Sequence, residues 1–190
     1  MKKNLACVVI LFSCVMGTAL QATPITYGAS LDGAQRVPPT GSLATGVGIV
    51  SVDSALDLLA FELSWSNVAE NPLGLHIHCC GAAGVNGQLA INFQGFPAST
   101  SGVYSQIVNL TVAALYNPAF LTAHGGNAAQ TEADLLAGLA AGNAYIDINN
   151  TPFPNGEIRG QLAAVPEPAT VTTLGLRLIA LVRGRFARKR

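Results

Sequence analysis

Four residues in one short stretch carry most of the side-chain chemistry available to this chain. Gly74-Leu75-His76-Ile77-His78-Cys79-Cys80-Gly81 holds two of the three histidines and two of the four cysteines. Read as a strand, its alternation places His76 and His78 on one face, with Leu75 and Ile77 on the other. Two imidazoles spaced i and i+2 can share one metal ion, zinc or copper being the metals imidazole suits. Such a site needs further ligands, and Cys79, Cys80, His124, Asp147 and Asn149 are the candidates, with Cys80 able to return to the histidine face. The bland alternative is that both rings make hydrogen bonds, with Glu157 or Arg159 as partners, and fix the packing of the strand.

The two adjacent cysteines admit three states: a vicinal disulfide, a bridge between chains, or free thiols. A bridge between Cys79 and Cys80 closes almost no loop, so it stiffens the following turn without constraining the unfolded chain. No Cys-x-x-Cys spacing supports redox work. There is also no Gly-x-Ser-x-Gly elbow, phosphate loop or zinc-protease helix, so no catalytic residue is assigned. Asp53 and Asp57 do not approach a complete calcium loop.

These residues must be positioned by strands. Ile25–Asp32, Gly46–Asp53, Asp57–Trp65, Leu73–Cys79, Gln88–Phe93 and Val103–Val112 read as strands, followed by Ala144–Asn149 and Glu157–Ala163. The clearest is Asp57–Trp65, where Leu59, Phe61, Leu63 and Trp65 fall on one face. One short helix is expected near 131–142, with Thr131 as its cap and Gly142 as its stop. The fold class is therefore all-β: a single antiparallel β-sandwich or Greek-key-like barrel, occupying residues 25–164.

The two ends read as addresses. Residues 1–22 combine Lys2 and Lys3, an apolar run from Leu5 to Met16, and small residues to Ala22, the pattern of a cleaved secretory signal peptide. The Sec translocon and signal peptidase are the implied partners, and Cys7 and Cys14 leave with the peptide. Residues 165–190 hold Pro166-Glu167-Pro168, an apolar run to Val182 and a tail rich in arginine. A stiff linker, a short apolar helix and a basic end suit transient anchoring in an inner membrane. This end resembles the PEP-CTERM sorting signal of Gram-negative bacteria, which implies cleavage by an exosortase-type protease. Release to the cell surface or the extracellular, biofilm-type polymeric matrix would follow. Arg177 interrupts the apolar run and departs from that pattern.

Between residues 23 and 165 there are two basic residues, Arg36 and Arg159, against nine acids and no lysine. An acidic body of this kind is repelled by phosphate backbones, which excludes nucleic-acid binding.

Three blocks resemble the CHRD domain, named for its repeats in chordin: Leu31-Asp32-Gly33-Ala34-Gln35-Arg36-Val37-Pro38-Pro39, His76-Ile77-His78 with its glycine-rich turn, and Gly156-Glu157-Ile158-Arg159-Gly160-Gln161-Leu162. The resemblance implies an all-β extracellular module without catalytic activity, with Gly156, Glu157, Arg159 and Gly160 as its closing structural signature. Where the family has Asn-Ile-His, this chain has Asp147-Ile148-Asn149, so a third histidine is missing. The expectation is an exported, non-enzymatic protein that associates with matrix polysaccharide or a surface protein. The alternatives are a metal-binding surface protein using His76 and His78, and a hydrolase of matrix polymers.

Overall fold

The computed structural model describes residues 23–166. Residues 1–22, expected above to be a signal peptide, and most of the expected sorting signal, from Glu167 onward, lie outside the described residues.

Nine strands form one antiparallel sheet: β1 (Ile25–Asp32), β2 (Thr45–Asp53), β3 (Leu58–Ser66), β4 (Gly74–Cys79), β5 (Gln88–Asn92), β6 (Gly102–Asn109), β7 (Tyr145–Asn149), β8 (Ile158–Gln161) and β9 (Ala163–Ala164). Their order is β5-β4-β7-β8-β1-β2-β3-β6, with β9 paired to β1. The sheet curls like a half-barrel, so the β4–β7 side faces the β2–β3 side. The chain crosses from one side to the other three times, after β3, after β5 and, through the helical segment, after β6. The all-β antiparallel expectation holds, with strand bounds within a few residues of those read from alternation.

Period-two patterning explains the fold. In β3, Leu59, Phe61, Leu63 and Trp65 are buried while Glu62 and Ser64 are exposed. In β4, Leu75, Ile77 and Cys79 go inward and His76 and His78 stay half-buried on the other face. The facing layers meet at glycines. A Cβ on Gly48 of β2 would press on the Cδ1 end of Ile146 of β7, so a larger residue there would require that side chain to shift. Phe61 and Phe93 fill the same core, their ring centroids 4.2 Å apart.

The helical part differs from the sequence reading. Among the described residues two helices are present, α1 (Pro118–Ala123) and α2 (Ala128–Ala140), after a 3-10 turn at Ala113–Leu115. Asn127, not Thr131, caps α2 by accepting from the Gln130 amide at 3.0 Å. Thr131 is inside the helix and buried, and its hydroxyl donates to the carbonyl of Asn127 at 2.8 Å. β6 also stops short of Val112, because the Asn109 side chain accepts from the Thr111 amide at 2.8 Å and turns the chain. α2 lays Leu135 and Leu139 on the core and brings Gly138 against the sulfurs of Cys79 and Cys80.

Gly160 tests how tightly β8 sits on β1. A Cβ there would lie 2.7 Å from the Ser30 carbonyl oxygen, a backbone atom that cannot swing aside. Gly160→Ala should therefore destabilise the protein by about 1–3 kcal/mol. Gly41→Ala, with no neighbour within 4 Å of the new carbon, should stay within about 0.5 kcal/mol of the parent. Paired urea denaturation curves measure both, and equal shifts would contradict the packing described.

Candidate functional site

The β4–β7 pairing sets the site. His76 lies directly opposite Asp147, His78 opposite Tyr145, and Gly74 opposite Asn149. Because alternation is shared across the pair, these side chains emerge together on the face away from the core. Asp147 is nonetheless 2% exposed, because loops from elsewhere close over it.

Asp147 is the hub. Its Oδ1 lies 3.1 Å from His76 Nδ1 and 3.4 Å from His78 Nε2. Its Oδ2 accepts a hydrogen bond from Arg36 Nη1 at 3.0 Å. Arg36 is itself buried and donates through Nη2 to the Asn155 carbonyl. Burial pushes the Asp147 carboxyl up, but the hydrogen bonds from His76 and His78 outweigh it and hold the group down at about 2.

The surrounding residues fix the rings. His78 Nδ1 donates to the Gly87 carbonyl at 3.0 Å. The imidazole of His78 stacks on Tyr145, with ring planes 6° apart and centroids 4.8 Å apart. The Arg159 guanidinium sits 3.5 Å from the centroid of the same tyrosine. Arg159 is fully buried and donates to Val85 O at 3.1 Å and Gln161 Oε1 at 2.9 Å. Burial lowers its affinity for the proton, and the nearby Tyr145 and Asp147 oppose that loss.

The rest of the closing signature is equally committed. Gly156 has φ +112°, and a Cβ there would sit 2.5 Å from Arg36 Cζ and 2.8 Å from Asp147 Oδ2. Only glycine leaves room for that ion pair in that backbone conformation. Glu157 is buried away from the histidines; it accepts from the Ala69 amide at 3.0 Å, from Ser42 Oγ at 2.5 Å and from the Asn150 side chain. The hydrogen-bond partners expected for the histidines, Glu157 and Arg159, are thus replaced by Asp147 and Gly87.

His76, His78 and Asp147 are brought together, one ligand atom of each lying within 4.8 Å of the others. Cys80 and His124, offered above as further ligands, are not part of this cluster. Cys79 and Cys80 form a vicinal disulfide beneath α2, with Cys79 buried and Cys80 exposed. His124 Nδ1 is 2.8 Å from Asp134 Oδ2, beside α2. Asn149 is at the cleft, next to His76. Sequence reasoning gave Arg36 no role here. Its signal was its rarity, as one of two cations in the body.

Above this floor opens a cleft of about 860 Å³. Its walls come from the paired prolines Pro38 and Pro39, the turn around Asn86, and the Pro152-Phe153-Pro154 loop. All three sequence blocks singled out above meet here. Among known families, residues 27–162 match the CHRD domain. The chain belongs to the CHRD family. No curated protein and no solved structure matches it. In this CHRD domain the opening block supplies Arg36, the middle block the two histidines, and the closing block the glycine that accommodates the Arg36–Asp147 pair.

The Asp147 carboxyl ionises at about 2 in the folded protein against 3.8 ordinarily. A group depressed in this way contributes stability that is complete above the ordinary value and lost as pH falls toward 2. That contribution is on the order of 2 kcal/mol. Asp147→Asn should therefore flatten the fall in stability between pH 4 and 2, on the order of two units. Urea midpoints measured across that range decide it, and an unchanged acid limb in the variant would contradict the assignment.

Proposed function

We propose that this CHRD protein is an exported, non-enzymatic binding module, sorted through Pro166-Glu167-Pro168 to the cell surface or extracellular matrix, where its cleft holds matrix polysaccharide. The cleft itself carries this reading. Its volume of about 860 Å³ falls in the range of ligand-binding sites. Prolines stiffen two of its walls, which limits the ordering cost of binding. The exposed amide of Asn86 and the ring of Phe153 offer the mixture of hydrogen-bonding groups and apolar surface that sugar rings present in return.

Support for binding over turnover comes from how the reactive groups near the cleft are engaged. The Thr40 hydroxyl donates to the Glu157 carbonyl at 2.8 Å. The Tyr145 hydroxyl is held at Gly87. The cysteines are joined to each other under α2, away from the cleft lining. No hydroxyl or thiol among the described lining residues is paired with a histidine, the arrangement nucleophilic catalysis requires.

Two measurements test the reading. Replacing Pro166, Glu167 and Pro168 by alanine should leave the protein in the cell envelope, whereas the parent is recovered outside; fractionation and immunoblotting report this. Unchanged release counts against sorting. The parent chain should also be retained by exopolysaccharide from the producing cells, and Phe153→Ala with Asn86→Ala should weaken retention roughly tenfold, a loss of about 1.4 kcal/mol. Release of new reducing ends from that polymer would instead establish a hydrolase.

A further inference from the structure

We propose that His76, His78 and Asp147 form a binding site for a zinc-class divalent cation, taken through His76 Nδ1, His78 Nε2 and Asp147 Oδ1 with a fourth position open to the cleft. The inference goes beyond the polysaccharide reading and does not depend on it.

Spacing supports it first. Four ligands about 2.0–2.1 Å from zinc stand about 3.3–3.4 Å from one another in a tetrahedron. Asp147 Oδ1 lies 3.1 Å and 3.4 Å from the two imidazole nitrogens. Two of the three separations are thus already close to a tetrahedral edge, and the three ligand atoms all lie within 4.8 Å of one another, so a cation needs limited rearrangement to enter.

Proton placement supports it independently. His78 Nδ1 faces a carbonyl, which only accepts, so that nitrogen carries the hydrogen. In the neutral ring Nε2 then presents a lone pair, and it faces Asp147 Oδ1. With Arg36 on its other oxygen, Asp147 is a carboxylate and also presents lone pairs. With the ring neutral, two lone pairs 3.4 Å apart face one another; either a second ring proton, the state that donates to Asp147 in acid, or a bound cation supplies the positive centre between them.

His76 shows the same mismatch at its other nitrogen. Its Nε2 and Asn149 Oδ1 crowd one point, 2.6 and 2.8 Å from where a Cβ on Gly74 would stand. Asn149 Nδ2 donates to Pro154 O at 3.4 Å, which turns Oδ1 toward His76. That oxygen is buried and has no hydrogen-bond partner. If His76 spends its Nδ1 hydrogen on Asp147, Nε2 brings a lone pair to an acceptor that already lacks a donor. If Nδ1 instead gives its lone pair to a cation, Nε2 carries the hydrogen near Asn149 Oδ1, and a small turn of either side chain would give that oxygen the donor it lacks.

The outer contacts fit as well. A metal-bound histidine usually donates its second N–H to a carbonyl or carboxylate that orients it. Gly87 O does this for His78; for His76, Asn149 Oδ1 lies close by and makes no hydrogen bond in this structure. Arg36 acts in two directions: it repels a cation, yet by holding Oδ2 it leaves Oδ1 aimed at both rings. The residue that replaces the family's histidine is therefore not a lost ligand but a neighbour of one. The ligand is Asp147, two positions earlier.

The test uses the untagged full chain, stripped with chelator and titrated with Zn²⁺ by calorimetry. One equivalent should bind, and His76→Gln or His78→Gln should each weaken binding roughly a hundredfold or more. His124→Gln, outside the cluster, should leave it unchanged. Nitrogen-15 spectra of the wild-type imidazoles give a readout that needs no variant. On adding Zn²⁺, His76 Nδ1 and His78 Nε2 should take metal-bound shifts while His76 Nε2 and His78 Nδ1 carry hydrogens. No uptake by the parent chain, uptake indifferent to both glutamine substitutions, or binding through the opposite nitrogens would overturn the proposal.

Discussion

A single buried carboxylate organises one end of this protein. Asp147 takes contacts from an arginine 111 positions earlier and from two histidines on the neighbouring strand. Burying a lone carboxylate costs several kcal/mol, and that cost is offset only when the partners arrive with good geometry. The loops bearing Arg36 and Gly156 are thus tied to β7 by more than their own short sequences. Remove the carboxylate and a buried guanidinium is left without its counter-charge, which is the more damaging half of the loss. The opening and closing blocks of the CHRD pattern are conjoined at this point, though nothing in their local sequence says so.

The strands were legible because one face of each is buried, and a period of two writes burial directly into residue order. β3 is the clearest example and was found within a residue of its bounds. The helices were less legible. α1 begins at Asn117-Pro118 in a stretch without apolar periodicity, and six residues give too little pattern to read. α2 starts three residues before Thr131 because Asn127 satisfies the free amides first. Thr131 resembles a cap in sequence, but a buried threonine can return its hydroxyl to the preceding turn instead.

The site was legible in part for a similar reason. His76 and His78 share a face by alternation alone, so their juxtaposition needs only the strand. That Asp147 faces them depends on the register between β4 and β7, a long-range property that no local pattern encodes. Arg36 depends on a loop folding back over that pair, which is further still from anything periodic. The disulfide and His124 lie beside α2 and make their contacts there, Cys79 on the face of β4 opposite His78, so the fold keeps apart residues that type alone would have joined.

The two arginines of the body are both inside it, Arg36 at 5% and Arg159 at 1% exposure. Among the described residues, then, no lysine or arginine reaches solvent, while Glu62 and Glu70 are exposed and Asp32, Asp53, Asp57 and Asp134 are partly so. The exterior of the domain is a surface of one sign. Copies of it repel one another, most strongly in dilute electrolyte, where the field extends about 30 Å at 0.01 M salt. Crowded together, such particles stay dispersed by their own charge and come together only where multivalent counter-ions or a shared polymer bridge the gap.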